Sequence, residues 1–157
     1  GYSLARKAIF GSMGHELTDR VAVLGDRTIG EVLLDQHPSY LAAMAALEEL
    51  MPVKQHAHIT GGGLIENAGR GFPDNLRADL SLASVPRPTI FTYIEAGGPV
   101  EQSEMQAQFN EGVGLTSVVD KKHNPRDVMY EMANKGFTVY HLGDVYQRRP
   151  ANQITIT

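Results

Sequence analysis

The sequence predicts an α/β (α+β) fold in which a mixed β-sheet is covered by helices. Apolar residues at helical spacing and short alternating segments are interspersed along the whole chain, the pattern expected when helices pack on a sheet. The last alternating segments, around Val139 and around Ile154, allow antiparallel neighbours. Size agrees with this class: 157 residues, 42% hydrophobic and 20% charged, suit a single domain over residues 1–157 with one core.

Taken in order, residues 3–10 are expected as a short amphipathic helix with Ser3 as its N-cap and Leu4, Ala8 and Ile9 on one side. Residues 11–31 are glycine-rich and polar, the least organised part. Pro38 is expected to open a helix in which Tyr40, Met44, Leu47 and Met51 share a buried face. Residues 54–60 alternate as a strand that ends on three glycines, after which 64–68 begin a helix. Ala78, Leu80 and Leu82 alternate as a strand, Pro86 and Pro88 end it, and a helix over 89–96 stops at Gly97-Gly98. A short helix is expected over 102–108 and an alternating segment over 112–119. Asn124-Pro125 then cap and open a helix carrying Val128, Met129 and Met132, which Gly136 stops. Phe137, Val139 and His141, and later Ile154 and Ile156, are expected as two last strands around a polar connection over 144–152.

Composition removes several classes of function. A net charge of −4 offers no basic footprint for nucleic acid, which is not an expected partner. The chain has no cysteine, so disulfides, zinc-thiolate sites and thiol nucleophiles are excluded and a cytoplasmic location is the expectation. The longest apolar stretch, residues 40–52, is broken by Glu48 and Glu49 and falls short of the roughly 20 residues a membrane span requires. The first residue is Gly1 and no apolar signal core follows, so the chain reads as a piece that something precedes.

The sharpest local feature is Thr60-Gly61-Gly62-Gly63 between an expected strand and an expected helix. Glycines without a Cβ let successive amides point into one concavity, and such amides at a helix start favour phosphate or carboxylate. The segment is neither a P-loop nor a G-x-G-x-x-G turn, so anion binding and a plain tight turn both remain open. His56, His58 and Thr60 share one strand face on one side of it, with Glu66, Asn67 and Arg70 on the other. Two histidines at that spacing lack the third ligand that zinc sites use, no acidic cluster offers magnesium an oxygen-rich shell, and no G-x-S-x-G elbow exposes a serine. No metal site is expected. A second segment, Phe109-Asn110-Glu111-Gly112-Val113-Gly114, places two glycines in a would-be strand, the mark of a bulge or a close backbone approach. Lys121, Lys122, Arg126, Arg148 and Arg149 read as solvated surface.

These segments, with Gly1-Tyr2-Ser3-Leu4 and Arg6-Lys7 at the start, Ile29-Gly30-Glu31 and Leu33-Leu34, the run His58-Ile59-Thr60-Gly61-Gly62-Gly63-Leu64-Ile65-Glu66-Asn67 with Arg70 and Pro73, Glu104-Met105, Phe109-Asn110-x-Gly112-Val113-Gly114 and Leu142-Gly143-Asp144-Val145, resemble in order and spacing the aminoimidazole ribonucleotide (AIR) synthetase family. That family is also called phosphoribosylformylglycinamidine cyclo-ligase, and the resemblance is to its C-terminal domain. The sequence departs from the family pattern at Asp35-Gln36-His37-Pro38-Ser39, where Pro-Thr usually precedes the tyrosine, and at Gly69 and Gly71, where apolar residues are usual.

The resemblance implies half of an enzyme of purine biosynthesis. A preceding N-terminal domain, absent from this chain, would supply most of the ATP and magnesium site and the homodimer contact, while this domain closes the cleft. The implied substrate is formylglycinamidine ribonucleotide: ATP phosphorylates the formyl oxygen, and the amidine nitrogen attacks that carbon to close the imidazole ring with loss of phosphate. Such chemistry asks the protein for positioning and charge neutralisation. On this basis Gly61, Gly62 and Gly63 are expected to hold a phosphate with Thr60 adding a hydroxyl. His58 is expected to orient the loop or move a proton, Glu66 and Asn67 to hold amidine or ribose hydroxyls, and Asn110 to line the same cleft; His58 and Glu66 are the candidate catalytic residues. The alternatives are a related ATP-using enzyme of the formylglycinamide ribonucleotide amidotransferase, selenophosphate synthetase or thiamine-phosphate kinase type, or a non-catalytic anion-binding module. Alone, the chain is expected to be inactive and to leave apolar surface exposed.

Overall fold

A computed structural model describes residues 1–147 and 154–156. It opens with α1 (Tyr2–Arg6), which runs on through a wider helical turn at Lys7–Ser12 and buries Ala5, Ala8 and Ile9. Ser3 lies inside this helix and not at its start: Gly1 is the N-cap, and its carbonyl accepts from the Ala5 amide. The stretch expected to be least organised is instead built from β1 (Arg20–Val21), β2 (Arg27–Thr28) and α2 (Ile29–Leu33). Thr28 and Glu31 form a reciprocal capping box at the start of α2, a signal that the Thr-x-x-Glu spacing carries in the sequence itself.

The next helix, α3 (Leu41–Leu50), begins three residues after Pro38, with Tyr40 as N-cap. Pro38 does not open it because the residues before Leu41 are drawn away: His37 and Tyr40 pack their rings against His58. The buried side of α3, with Ala46, Leu47 and then Met51, meets Met132. That methionine belongs to α7 (Pro125–Asn134), whose N-cap Asn124 accepts from the Arg126 amide, with Pro125 in the first turn. Gly136, at a φ of 86°, follows its end as expected.

Between them, β3 (Val53–His58) pairs antiparallel with β5 (Leu115–Val119), His58 lying opposite Leu115. The turn after β3 leads into α4 (Gly63–Asn67), followed by β4 (Leu76–Leu80), α5 (Thr89–Gly97) and α6 (Gln102–Gln108). The strand expected around Phe137, Val139 and His141 is replaced by β6 (Gly143–Gln147), inside what had read as a polar connection. Phe137 and Val139 alternate but pack onto the Met132 cluster, while β6 tolerates polar residues because it is an edge strand. The last strand, β7 (Ile154–Ile156), forms where expected. Arg148, Arg149 and the rest of the connection over 148–153 lie outside the described residues.

The class is α+β, as the sequence predicts, with a mixed sheet ordered β6-β4-β7 in which β4 pairs antiparallel with β6 and parallel with β7. Two further two-stranded sheets, β1-β2 and β3-β5, stand apart from it. The buried apolar residues accordingly gather into three clusters, one for α1, α2, α5 and α6, one around Ile59, Leu64 and β4, and one between α3 and α7. Among the described residues no helix is long and apolar enough to cross a membrane.

Candidate functional site

Ile59 ends β3. It is fully buried, and its amide donates to the Gly114 carbonyl at 2.9 Å, so the chain is pinned one residue before the turn begins. Thr60 accepts from the Gly63 amide at 3.1 Å, closing a turn in which Gly62 and Gly63 have φ of 93° and 61°, the region where only glycine is unstrained. Gly62 lies under the Glu66 carboxylate, and Gly63 faces the carbonyls of Gln106 and Phe109, which a Cβ would strike. Gly61 has open space about its α-carbon.

The turn is braced from inside. Asn67, only 2% exposed, donates its Nδ2 to the carbonyl of Gly61 at 3.0 Å and of Gly63 at 2.7 Å. Both hydrogens of the amide are thereby used on the loop, while the buried Oδ1 has no partner among the described residues. Gln55, one strand residue before His56, donates to the Ala68 carbonyl at 3.0 Å, fastening the far end of α4 to β3. Gly71 fits beneath this side chain: a Cβ there would lie 2.9 Å from the Gln55 Oε1. Gly71, one of the two glycines that depart from the family pattern, is thus matched to Gln55.

Beside the turn opens a cavity of about 480 Å³, lined by His56, His58, Thr60, Asn67 and Arg70 together with Gln55, Ala57 and Gly71. The two histidines differ in their partners. His56 is fixed on both ring nitrogens, Nδ1 to Ser117 Oγ at 2.7 Å and Nε2 to Glu48 at 3.2 Å. His58 is exposed, with Nε2 on His37 Nε2 at 2.9 Å. Tyr40 lies edge-on to both His37 and His58; burial pushes its hydroxyl up from the usual phenol range, and this hydroxyl sits against Gly114 where a Cβ would otherwise stand. The close backbone approach expected of the second glycine segment occurs at this contact. Arg70 is exposed, has no ion pair among the described residues, and is the one permanently charged side chain in the lining.

Of the residues singled out in the sequence, His58, Thr60 and Asn67 come together in the cavity wall. Gly61, Gly62 and Gly63 form its adjoining turn, and Glu66 lies over Gly62, outside the lining. Asn110 also stands outside the lining; its Oδ1 accepts from the Gly112 amide at 3.1 Å, next to the Phe109 carbonyl that abuts Gly63. Sequence reasoning passed over Gln55, whose alternation partner across β3 was the more conspicuous His56, and His37, whose only signal was its place in a segment that departs from the family pattern.

Chemically, the wall offers hydrogen-bond donors and acceptors around one guanidinium and no serine or cysteine nucleophile. Among the described residues no three His, Asp or Glu side chains converge as a metal shell. Such a wall has the chemistry to contact an anionic group through Arg70 and polar groups through its remaining side chains.

Comparison with known proteins places the sequence in a family. The family model for the AIR synthase related protein, C-terminal domain, matches residues 1–152. The phosphoribosylformylglycinamidine cyclo-ligase of Sorangium cellulosum is 44% identical over 147 residues, covering 92% of this chain and 42% of that protein. That of an Anaeromyxobacter species is 47% identical over 119 residues, 76% of this chain and 34% of its own length. The Bifidobacterium animalis subsp. lactis enzyme of the same name is 38% identical over 144 residues, 90% of this chain and 42% of its own. The chain therefore spans less than half the length of these curated relatives. With the match running from Gly1 through the glycine turn and beyond, the chain belongs to the AIR synthase related protein family, as its C-terminal domain.

Proposed function

We propose that this chain is the cleft-closing C-terminal half of an ATP-dependent cyclo-ligase that converts formylglycinamidine ribonucleotide to aminoimidazole ribonucleotide. The observation that carries the reading is the cavity beside the glycine turn, where Arg70, Thr60 and His58 face one space and the turn itself is held by Asn67. An intramolecular ring closure needs its nucleophile and electrophile held together, and a wall of fixed polar groups supplies that without a nucleophile of its own.

Magnesium does not fit this half, since no carboxylate cluster in the described residues offers it a shell. The ligands of the metal and nucleotide are accordingly assigned to a preceding domain, as is the contact of a cytoplasmic homodimer. When bound there, ATP supplies the phosphoryl group that makes the formyl oxygen a leaving group. In this chain, Arg70 and the Thr60 hydroxyl take the phosphate of the ribonucleotide, with the Gly61 amide at the edge of the same turn. His58 presents its remaining ring nitrogen, Nδ1, to the reacting amidine and holds or moves a proton there. Asn67 acts on substrate through the loop it braces, Glu66 guards the open side of the turn, and Asn110 supports it from behind.

Arg70→Ala in the intact two-domain protein tests the reading. Arg70 is exposed and has no ion pair among the described residues, so its loss is expected to leave folding alone and raise KM for the ribonucleotide roughly 10- to 100-fold, the scale of one charge-assisted hydrogen bond. An unchanged KM in a folded, ATP-turning enzyme would overturn the assignment.

A further inference from the structure

His58 has one ring nitrogen spoken for, and the residue that takes it lies outside the cavity. The Nε2 of His37 stands 2.9 Å from the Nε2 of His58, with ring centroids 4.9 Å apart. A hydrogen bond between two imidazole nitrogens exists only when one carries a proton and the other is bare. The bond therefore couples the two rings: where His37 donates, His58 Nε2 is bare and a neutral His58 carries its proton on Nδ1; where His37 accepts, Nε2 of His58 carries the shared proton. Nδ1 of His58 has no partner among the described residues and is the nitrogen left to face the cavity.

The local structure holds His37 to this task. The following residue is Pro38, which confines the His37 backbone to extended conformations. Tyr40 then lies edge-on to both imidazoles, 5.4 Å from His37 and 6.1 Å from His58 between ring centroids. Its own position is set where Gly114 leaves room for its hydroxyl. His56, two residues away on β3, cannot substitute, because both of its ring nitrogens are engaged by Ser117 and Glu48.

We propose that His37 is a positioning residue for the ring closure, fixing the orientation of the His58 ring and coupling its tautomer to that of His37 through their shared hydrogen bond. This rests on the reading above that His58 faces the substrate, and the test separates the two. In the intact enzyme labelled with 15N-histidine, the ring-nitrogen shifts of His58, assigned by loss of its signals in His58→Gln, are expected to show Nε2 hydrogen-bonded to a second imidazole. That signature, and the tautomer balance it sets, should change in His37→Ala. The same variant is expected to lower kcat roughly tenfold, the worth of one hydrogen bond, with KM for the ribonucleotide within about twofold. His37→Gln, whose amide also bonds Nε2, should recover most of the rate, and His37→Ala added to His58→Ala should cost nothing more.

A His58 tautomer that does not respond to His37→Ala overturns the proposal, as does a full-rate His37→Ala enzyme in which His58→Ala is impaired. If His58→Ala itself turns over normally, the substrate-facing reading of His58 fails, while the nitrogen shifts still decide whether the pair exists.

Discussion

At Gly63 two demands meet in one residue: a φ of 61° and a Cα that faces the carbonyls of Gln106 and Phe109. Gly63→Ala is therefore expected to cost about 2–4 kcal/mol, from left-handed strain plus overpacking, read as a lowered urea midpoint at unchanged slope. Gly61→Ala meets nothing within 4 Å and should stay within about 0.5 kcal/mol of the parent. The pair thereby separates packing from ligand contact: reduced ribonucleotide affinity in Gly61→Ala would come from the binding surface and not from the fold. Gly62 is a poorer probe, since its φ of 93° and the overlying Glu66 make any side chain disruptive. Asn67→Leu removes both braces of the turn and strands two carbonyls, for an expected loss of about 2–4 kcal/mol. A variant as stable as the parent would show that the turn does not depend on them.

Among the helices, those with explicit caps are the ones whose beginnings the sequence spells out. Asn124 bonds the Arg126 amide and is followed by Pro125, so the start of α7 was legible from two adjacent letters. Asn124→Ala is expected to lower stability by about 1 kcal/mol in chemical denaturation, and Asn124→Ser should return most of it. The start of α2 carries an equally local signal in Thr28 and Glu31, overlooked because the surrounding residues are glycine-rich. The start of α3 was misplaced for a different reason. Pro38 is competent to begin a helix, but His37 and Tyr40 are held by His58 from another element, and no local propensity reveals that competition. The same limit explains β6: residues 143–147 lack strong alternation and become a strand because β4 presents an edge for them.

For the molecule as a whole, four surface carboxylates make stability depend on pH in acid. The Glu16 amide beside Asp19, the Thr28 amide beside Glu31, the Arg27 guanidinium beside Asp35 and the Lys122 amide beside Asp120 each hold a carboxyl below its usual range. Each of these groups binds fewer protons folded than unfolded, so their contribution is complete above the unfolded values, near about pH 4, and is lost as pH falls through the lowered ones. The thermal midpoint should therefore be flat above about pH 5 and decline below about pH 4, and the decline should be smaller in Asp35→Asn. Salt should shrink the effect, since all four groups are solvent-screened. At the same scale, a chain that covers 42% of the Sorangium relative and offers no metal shell among its described residues is expected to form no aminoimidazole ribonucleotide by itself. Product formation by this polypeptide alone, followed by chromatography with ATP present, would contradict the division of labour proposed above.

The run from His58 to Asn67 was enough, with its neighbours in order, to indicate the family, because glycine positions and motif spacing are properties of the chain itself. The same was true of most helices and of β3, β5 and β7, whose periodicity follows from which face is buried. Tertiary structure alone decided what each motif residue touches. It turned Asn67 inward to brace the loop, laid Glu66 over Gly62, set Arg70 in the cavity wall and brought His37 across 21 residues to His58. The physical reason is range: backbone conformation and amphipathicity are encoded among near neighbours, whereas a hydrogen-bond partner is chosen by whichever polar group the packing of distant elements delivers within about 3 Å.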